Sequence, residues 1–565
     1  MHHLLPARWA MPFALLSLSL AVSQALAQMD PSNAPSAGDL ERFVSPPLQA
    51  PTRPADERAV QQREQPKPGT QNEGPRIEVA KLVITGNTVF RTEELDALVA
   101  EVPGKSWSLA DLQDAVYRIT AYYQNAGYGA ARAILPAQEI RDGVVQVLVV
   151  EGRIGKVNID NRSLIRDAQV AALAGRMPAG SVVFEPSLER RLLLLGETPG
   201  ASRATVLLKP GAQTGETDLD VTVEPGSRVT GLIEADTHGN RYTGYNRVGA
   251  TVNVNSPAGL GDQVQLRLLA TDENLRQARL GYRVPVGGSG WVVGASWSDL
   301  HYKLGREYEP LKASGWARVG TVQATYPLWR SVEHTAFLTT SFERKNYEDR
   351  FAPSEPALVN RKHSRVAGIG LNGYGLVGNA TYSFAALSTH GQLVLENEAN
   401  RAVDAQGLKT HGGFSKFVLT SNITAPVSGN WSLYGSAYTQ LASQNLDSSE
   451  RLSLGGMQGV RAYPQGEATG DEGYIASGEV RYTLPLQAVQ LAGFVDFGQI
   501  WLNRHPLPDT ENRRILRGTG LSLLWSPQPT TVVRVTVATR LGDERIVSEP
   551  SNARTRWWLQ GVWRY

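Results

Sequence analysis

The chain has 565 residues, an almost balanced charge of +2 and no cysteine. The missing cysteine excludes disulfides and thiolate metal sites, and the small net charge argues against nucleic acid as a partner. The length is enough for several domains of roughly 100 to 200 residues each.

Residues 1–27 are predicted to be an export signal peptide. They combine a weakly basic start, the apolar run MPFALLSLSLAV and a small-residue cleavage site at Ala25–Ala27. Beyond Gln28 no apolar run approaches the roughly 18 residues that a membrane helix requires. A transmembrane β-barrel stays possible, because its apolar residues are dispersed along alternating segments.

Residues 28–75 are predicted to be a linker. They are rich in proline, glutamine and charge, and they have too few large apolar residues to bury a core. Within this linker, residues 55–65 (ADERAVQQREQ) lie between two prolines and have almost no apolar face. The sequence leaves open whether residues 55–65 are unstructured or form a polar helix that plugs a water-filled lumen.

Two α+β units are predicted next, over residues 76–152 and 153–226. In each, the periodicity indicates the order strand, helix, helix, strand, strand, and the repetition suggests an array of small domains. Each unit should leave a sheet edge open, and an extended peptide can join such an edge as an added strand. The alternative is that the units are spacers.

Residues 227–565 alternate between apolar and polar side chains and show no helix signal. In the segment VQLRLLA, for example, Val264, Leu266 and Leu268 share one face of a strand. About sixteen such segments are separated by short turns that alternate with longer loops, and aromatic residues cluster near the strand ends. The pattern predicts a transmembrane β-barrel of about sixteen antiparallel strands, closed by a last strand that ends at Tyr565 and wide enough for an aqueous channel.

Three stretches of the sequence resemble a known family. The run Gly127–Gly155 is similar to the signature of the first POTRA (polypeptide-transport-associated) domain of two-partner secretion transporters, the hemolysin secretion/activation family. VRAY at Val460–Tyr463 resembles the tip of a loop that folds into the barrel in this family, and GFVDFG at Gly493–Gly498 resembles the strand that receives it. The resemblance covers essentially the whole mature chain, including the glutamine-rich segment, which in this family can precede the POTRA pair as a plug helix.

The resemblance implies a lock between the loop and the barrel wall. The loop tip would be Val460, Arg461, Ala462 and Tyr463, and the strand motif Phe494, Asp496 and Gly498, with Arg461 bound to Asp496. Alternation also places Asp496 in the lumen, because a carboxylate facing lipid is costly. Without the resemblance, Arg461 reads as a solvated loop arginine. Alanine at position 462 replaces the usual glycine, so the tip backbone loses the freedom to adopt positive φ.

No catalytic motif is found: G-x-S-x-G, H-E-x-x-H and a phosphate-binding glycine loop are all absent from the sequence. We therefore expect no enzyme activity and no cofactor. The resemblance implies an outer-membrane transporter of a Gram-negative bacterium with POTRA domains in the periplasm. Its expected partners are outer-membrane lipids and a large secreted exoprotein (an adhesin, cytolysin or toxin). An assembly factor for other barrels and a passive porin are the alternatives.

Overall fold

The computed structural model describes residues 34–45, 60–61, 76–175, 177–353, 356–485, 488–508 and 510–565. The predicted signal peptide and most of the predicted linker lie outside these residues. No helix in these ranges is both long and apolar enough to cross a membrane.

Two elements of the leader are described, helix α1 (Ala37–Val44) and strand β1 (Val60–Gln61). Of the segment 55–65, for which the sequence left a polar helix open, Val60 and Gln61 form a strand and not a helix, and the rest lies outside the described residues. A piece with no apolar stripe gains little by forming a helix, whereas its backbone can hydrogen-bond along an open sheet edge. The helix forms upstream, where Ala37, Leu40 and Val44 make one buried stripe.

The first α+β unit contains two helices and five strands. They are β2 (Ile77–Val79), β3 (Lys81–Thr85), α2 (Thr92–Leu98), β4 (Lys105–Trp107), α3 (Leu109–Asn125), β5 (Arg132–Ile134) and β6 (Val144–Val150). Strand β6 lies between β3, which is parallel to it, and β5, which is antiparallel. Helix α3 starts at a capping box formed by Ser108 and Asp111 and packs Leu112, Ile119 and Tyr123 into the core.

The second α+β unit repeats the predicted order strand, helix, helix, strand, strand. Its elements are β7 (Arg153–Asn161), α4 (Asp167–Ala174), α5 (Glu185–Gly196), β8 (Ala201–Pro210) and β9 (Glu216–Pro225). The sheet order is β1-β8-β9-β7, so the leader strand β1 runs parallel to the edge strand β8. The leader strand β1 therefore occupies one edge of this sheet.

Sixteen antiparallel strands form the closed barrel. They are β10 (Val229–Asp236), β11 (Arg247–Asn255), β12 (Gln263–Thr271), β13 (Leu275–Val286), β14 (Trp291–Lys303), β15 (Ser314–Arg330), β16 (His334–Phe351), β17 (Leu358–Val377), β18 (Ala380–Leu395), β19 (Gly412–Ser428), β20 (Trp431–Ala442), β23 (Glu472–Leu484), β24 (Val489–Trp501), β25 (Arg513–Gln528), β26 (Thr531–Arg540) and β27 (Thr555–Arg564). Strand β27 pairs with β10 over Leu232–Asp236, which closes the barrel and confirms the predicted architecture.

The outer surface of the barrel is apolar, as the alternation predicts. Leu280, Val322 and Leu521 lie on this surface and are more than half exposed, while their chain neighbours point inward. Aromatic pairs such as Trp431 with Tyr482 lie at the end of the barrel that carries the short turns. This is the distribution of a barrel whose aromatic rings mark a membrane interface.

The second α+β unit docks on the short turns of the barrel. The backbone N–H of Arg166 donates to the carbonyl of Gly259, and that of Val332 donates to the Glu189 carboxylate over 3.1 Å. Glu197 binds the guanidinium of Arg330, whose side chain is almost fully buried. The longer loops, including α6 (Glu398–Gln406), lie at the opposite end. The fold therefore separates a domain-bearing end from a loop-bearing end.

Candidate functional site

The connection between β20 and β23 folds back into the barrel, and we call residues 443–471 the lumenal loop. Its base is closed by two short antiparallel strands, β21 (Leu452–Ser453) and β22 (Thr469–Gly470). Beyond them the loop turns on itself, with the N–H of Val460 donating to the carbonyl of Leu454 over 2.7 Å. Its tip touches inward-facing side chains of four strands, β23, β24, β25 and β27.

Arg461 and Asp496 are brought together by this fold. The guanidinium donates from Nε to Oδ2 over 2.9 Å and from Nη2 to Oδ1 over 2.7 Å, a forked pair of parallel hydrogen bonds. The backbone N–H of Arg461 also donates to Oδ2 over 3.0 Å. Asp496 is fully buried, and it also accepts a hydrogen bond of 2.8 Å from the hydroxyl of Ser477. Arg461 is the cation that pairs with this buried carboxylate.

The remaining donors of Arg461 are satisfied by the wall of the barrel. Nη1 donates to Glu479 and Nη2 to the hydroxyl of Ser477, each over 2.8 Å. The guanidinium carbon lies 3.4 Å from the centre of the Phe494 ring, a cation–π contact. Lysine could not reproduce this arrangement, because it lacks the planar fork and carries its charge at one point.

Val460, Ala462 and Tyr463 are completely buried against the wall and the neighbouring loops. A β-carbon on Gly498 would lie 3.0 Å from Val460, and one on Gly518 would lie 2.8 Å from that of Ala462. Ala462 is not among the residues with positive φ. The alanine therefore fits without backbone strain, because the methyl group occupies space that Gly518 leaves empty.

Sequence reasoning missed three residues that hold the loop. The indole of Trp558 on β27 donates to the carbonyl of Arg461 over 2.7 Å. Buried Glu467 accepts from Arg514 over 2.7 Å and from the backbone of the loop between β26 and β27. Asp471 accepts from the backbone of Leu446 and Arg504. The alternation in TRWW could have indicated Trp558, because it must face inward if Trp557 faces lipid.

Helix α1 lies in the lumen beside the loop. Its N-terminal N–H, from Ala37, donates to Asp349 of β16 over 2.7 Å, and the Ser36 hydroxyl lies 2.8 Å from that of Ser448 in the loop. A β-carbon on Gly38 would lie 2.7 Å from that of Ser449, so this glycine permits the close approach. The helix and the loop therefore pack as one plug.

Among the described residues, no group of histidine and carboxylate side chains is arranged to hold a metal ion. The charged groups in the lumen pair with one another: Glu450 of the loop binds Lys345 and Lys416, and Asp447 binds Lys362. The site is thus a polar packing surface between a plug and a wall.

The sequence profile of the family described as haemolysin secretion/activation protein ShlB/FhaC/HecB matches residues 215–523, and that of the ShlB-type POTRA domain matches residues 77–152. The chain belongs to this family. It is an outer-membrane transporter of the two-partner secretion type, and the POTRA domains of this family are periplasmic.

Relatives and solved structures agree with this assignment. The heme/hemopexin transporter protein HuxB of Haemophilus influenzae (strain 86-028NP) is 28% identical over 80% of this chain and 81% of its own. The outer membrane transporter CdiB of Dickeya dadantii is 23% identical over 81% of this chain and 83% of its own. The structure of CdiB from Escherichia coli superposes with a TM-score of 0.70 at 18% identity, covering 99% of this chain and 100% of that one. The two-partner secretion transporter therefore shares its whole fold with CdiB.

Proposed function

We propose that this transporter captures a large exoprotein in the periplasm through its POTRA domains and passes it, unfolded, through the barrel to the cell surface. The observation that carries the proposal is which elements of the chain occupy the lumen. The lumen of a closed sixteen-stranded barrel contains α1 and the lumenal loop, and neither is a strand of the wall. Helix α1 can therefore leave the lumen without opening the sheet.

Capture is assigned to the edges of the α+β units. Strands β5 and β7 each have one neighbour among the described strands, so each has hydrogen-bonding groups available to an extended peptide. A partner in the unfolded state can present its backbone to such an edge. This mode of recognition needs little sequence specificity beyond the pockets for alternate side chains.

Passage then requires α1 to leave. The helix has few direct polar attachments to the wall, such as the bond from Ala37 to Asp349 and that from Gln277 to Glu41 over 3.3 Å. The lumenal loop is held more firmly, by Arg461, Glu467 and Asp471. We assign to it the role of a lock, which means that it stays bound to the wall and fixes the shape of the lumen. Transport consumes no nucleotide. Folding of the exoprotein outside the cell provides the free energy that drives transport outward.

The partner is proposed to be a large exported protein with an N-terminal secretion domain. The names of the relatives suggest where to begin: HuxB is a heme/hemopexin transporter protein, and CdiB is an outer membrane transporter. A neighbouring gene for a very large exported protein rich in β-helix repeats would be the first candidate.

Deletion of the gene and complementation with either the full chain or a chain lacking residues 76–226 tests the function. We expect one large polypeptide to disappear from the supernatant or cell surface on deletion and to return only with the full chain. Outer-membrane levels of other barrel proteins, measured in the same strains, should be unchanged. A general loss of barrel proteins would identify an assembly factor, and loss of small-solute uptake alone would identify a porin.

A further inference from the structure

Two arginines face each other on the outside of the barrel. Arg344 of β16 is the direct cross-strand partner of Arg365 of β17, and both side chains are exposed. They share a face with Phe342 and Ile369, which are 51% and 57% exposed. Because alternate residues share a face of a strand, the two guanidinium groups lie on the lipid side of the wall.

The pair lies where the apolar band ends, on the half of the barrel away from the POTRA domains. Towards the short turn at residues 378–379, the outward positions after Arg365 are Ala367, Ile369 and Leu371. Towards the long loops, the next outward pair is Asn346 and His363. Such a change from apolar to polar outward positions is expected where the headgroups of the outer leaflet meet the hydrocarbon.

The acidic residues around the pair are already committed to other cations. Glu348 binds Arg361 over 2.8 Å, Asp299 binds Arg318 over 3.0 Å, and Glu396 binds His363 over 2.9 Å, the last bond being ionic when the imidazole is protonated. Within the described residues, the side chains of Arg344 and Arg365 make no hydrogen bond or ion pair. Like charges directly opposite each other destabilise a sheet, and charge at a lipid-facing position adds a further cost.

We propose that Arg344 and Arg365 bind a phosphate group of the glycolipid in the outer leaflet, the phosphorylated disaccharide of lipopolysaccharide. A phosphate between the two forks would remove the repulsion and accept hydrogen bonds from both guanidinium groups. The site opens sideways towards the apolar band, which favours a lipid over a free phosphate ion.

Aromatic side chains next to the pair suit the lipid chains. Gly320 of β15 is the cross-strand neighbour of Arg344 on one side and of Trp297 on the other. The Trp297 ring covers this glycine, where an added β-carbon would lie 3.3 Å from the ring, and its side chain is 52% exposed. Trp297 and Phe342 thus flank the arginines with apolar surface that an acyl chain can contact.

The test uses the full chain, purified in mild detergent and placed in phosphatidylcholine nanodiscs. Binding of bis-phosphorylated lipid A, of its dephosphorylated form and of inorganic phosphate is measured by native mass spectrometry. We expect the phosphorylated form to bind at least about tenfold more tightly than the dephosphorylated form, since hydrogen bonds to charged groups are strong. Changing both arginines, R344Q with R365Q, should abolish this preference.

The control variant is R361Q, which removes an arginine from the same face of β17 whose charge Glu348 already neutralises. It should retain the preference. Equal binding of both lipid A forms by the unchanged chain would overturn the proposal without any variant, as would an unchanged preference in the double variant. Inorganic phosphate that displaces lipid A at equal concentration would show a simple anion site and would also overturn it.

Discussion

The indole Nε1 of Trp558 donates a hydrogen bond of 2.7 Å to the carbonyl oxygen of Arg461. Trp558 lies on β27, the strand that closes the barrel against β10. The same residue of the loop is therefore held twice: its side chain by Asp496 on β24 and its carbonyl by the closing strand. Arg461 therefore links the loop tip to the strand that closes the barrel.

Removing the indole N–H donor of Trp558 should loosen the loop. The variant Trp558→Phe keeps an aromatic ring but leaves a buried carbonyl without its partner, at a cost of about 1 to 3 kcal/mol in loop docking. We expect faster proteolysis of the lumenal loop and reduced secretion. The adjacent Trp557 is 67% exposed on the lipid side, so Trp557→Phe is the matched control and should leave both measurements unchanged.

The variants Arg461→Ala and Asp496→Ala should each strongly reduce secretion while the barrel still assembles. Arg461→Ala leaves the buried carboxylate of Asp496 without its cation, which typically costs about 3 to 5 kcal/mol. In Asp496→Ala the guanidinium loses its forked partner and keeps Glu479 as an ionic partner. If the two residues act as a unit, the double variant should be no worse than the more severe single variant. Secretion is measured with heat-modifiable gel mobility as the test of assembly, and simply additive losses would contradict the lock.

The variant Gly38→Val should expel α1 from the lumen. Its side chain has no space, because a β-carbon would already lie 2.7 Å from the β-carbon of Ser449. We expect the conductance of the purified transporter in planar bilayers to rise. Gly478→Val is the control, since a β-carbon there meets nothing within 4 Å. Equal conductance in both variants would show that α1 is not the plug.

Glu151 should make the first POTRA domain sensitive to acid. Burial alone would raise the pKa of its carboxyl group, but hydrogen bonds from Thr88, Val89 and Tyr123 outweigh burial and hold the pKa below its ordinary value. A depressed pKa in the folded state stabilises the domain above the unfolded pKa, near 4.3. This stabilisation disappears as the pH falls through the pKa that Glu151 has in the folded state.

The variant Glu151→Gln should lower the melting temperature of the POTRA region at pH 7 and flatten its dependence on pH below about 5. The full chain is unfolded by heat in detergent, and amide hydrogen exchange in residues 76–152 monitors the unfolding of this region. Glu139→Gln is the control, because its side chain is 81% exposed. A pH profile unchanged by Glu151→Gln would contradict the role given to its hydrogen bonds.

Much of the fold could be predicted because it repeats simple periods. Alternation with period two placed Leu491 and Val495 on the lipid side and Asp496 in the lumen, as found. The order of elements in the second α+β unit also followed from local periodicity, whereas in the first unit β2 and β4 were not predicted as separate strands, because three residues are too few to show a period. Position 462 was harder to judge. The missing glycine suggested a changed backbone, but the room for the methyl group of Ala462 comes from Gly518 on β25, a strand distant in sequence.

The sequence by itself determined the class of the protein, the faces of its strands and the two motifs that meet in the lumen, because these depend on local periodicity and on short runs of residues. The tertiary structure alone decided which leader segment becomes the helix, that Trp558 and Glu467 hold the loop, and that Arg344 lies opposite Arg365. These features depend on register across strands and on contacts between distant segments. A slip of one residue would separate Arg344 from Arg365, and local sequence patterns do not fix that register.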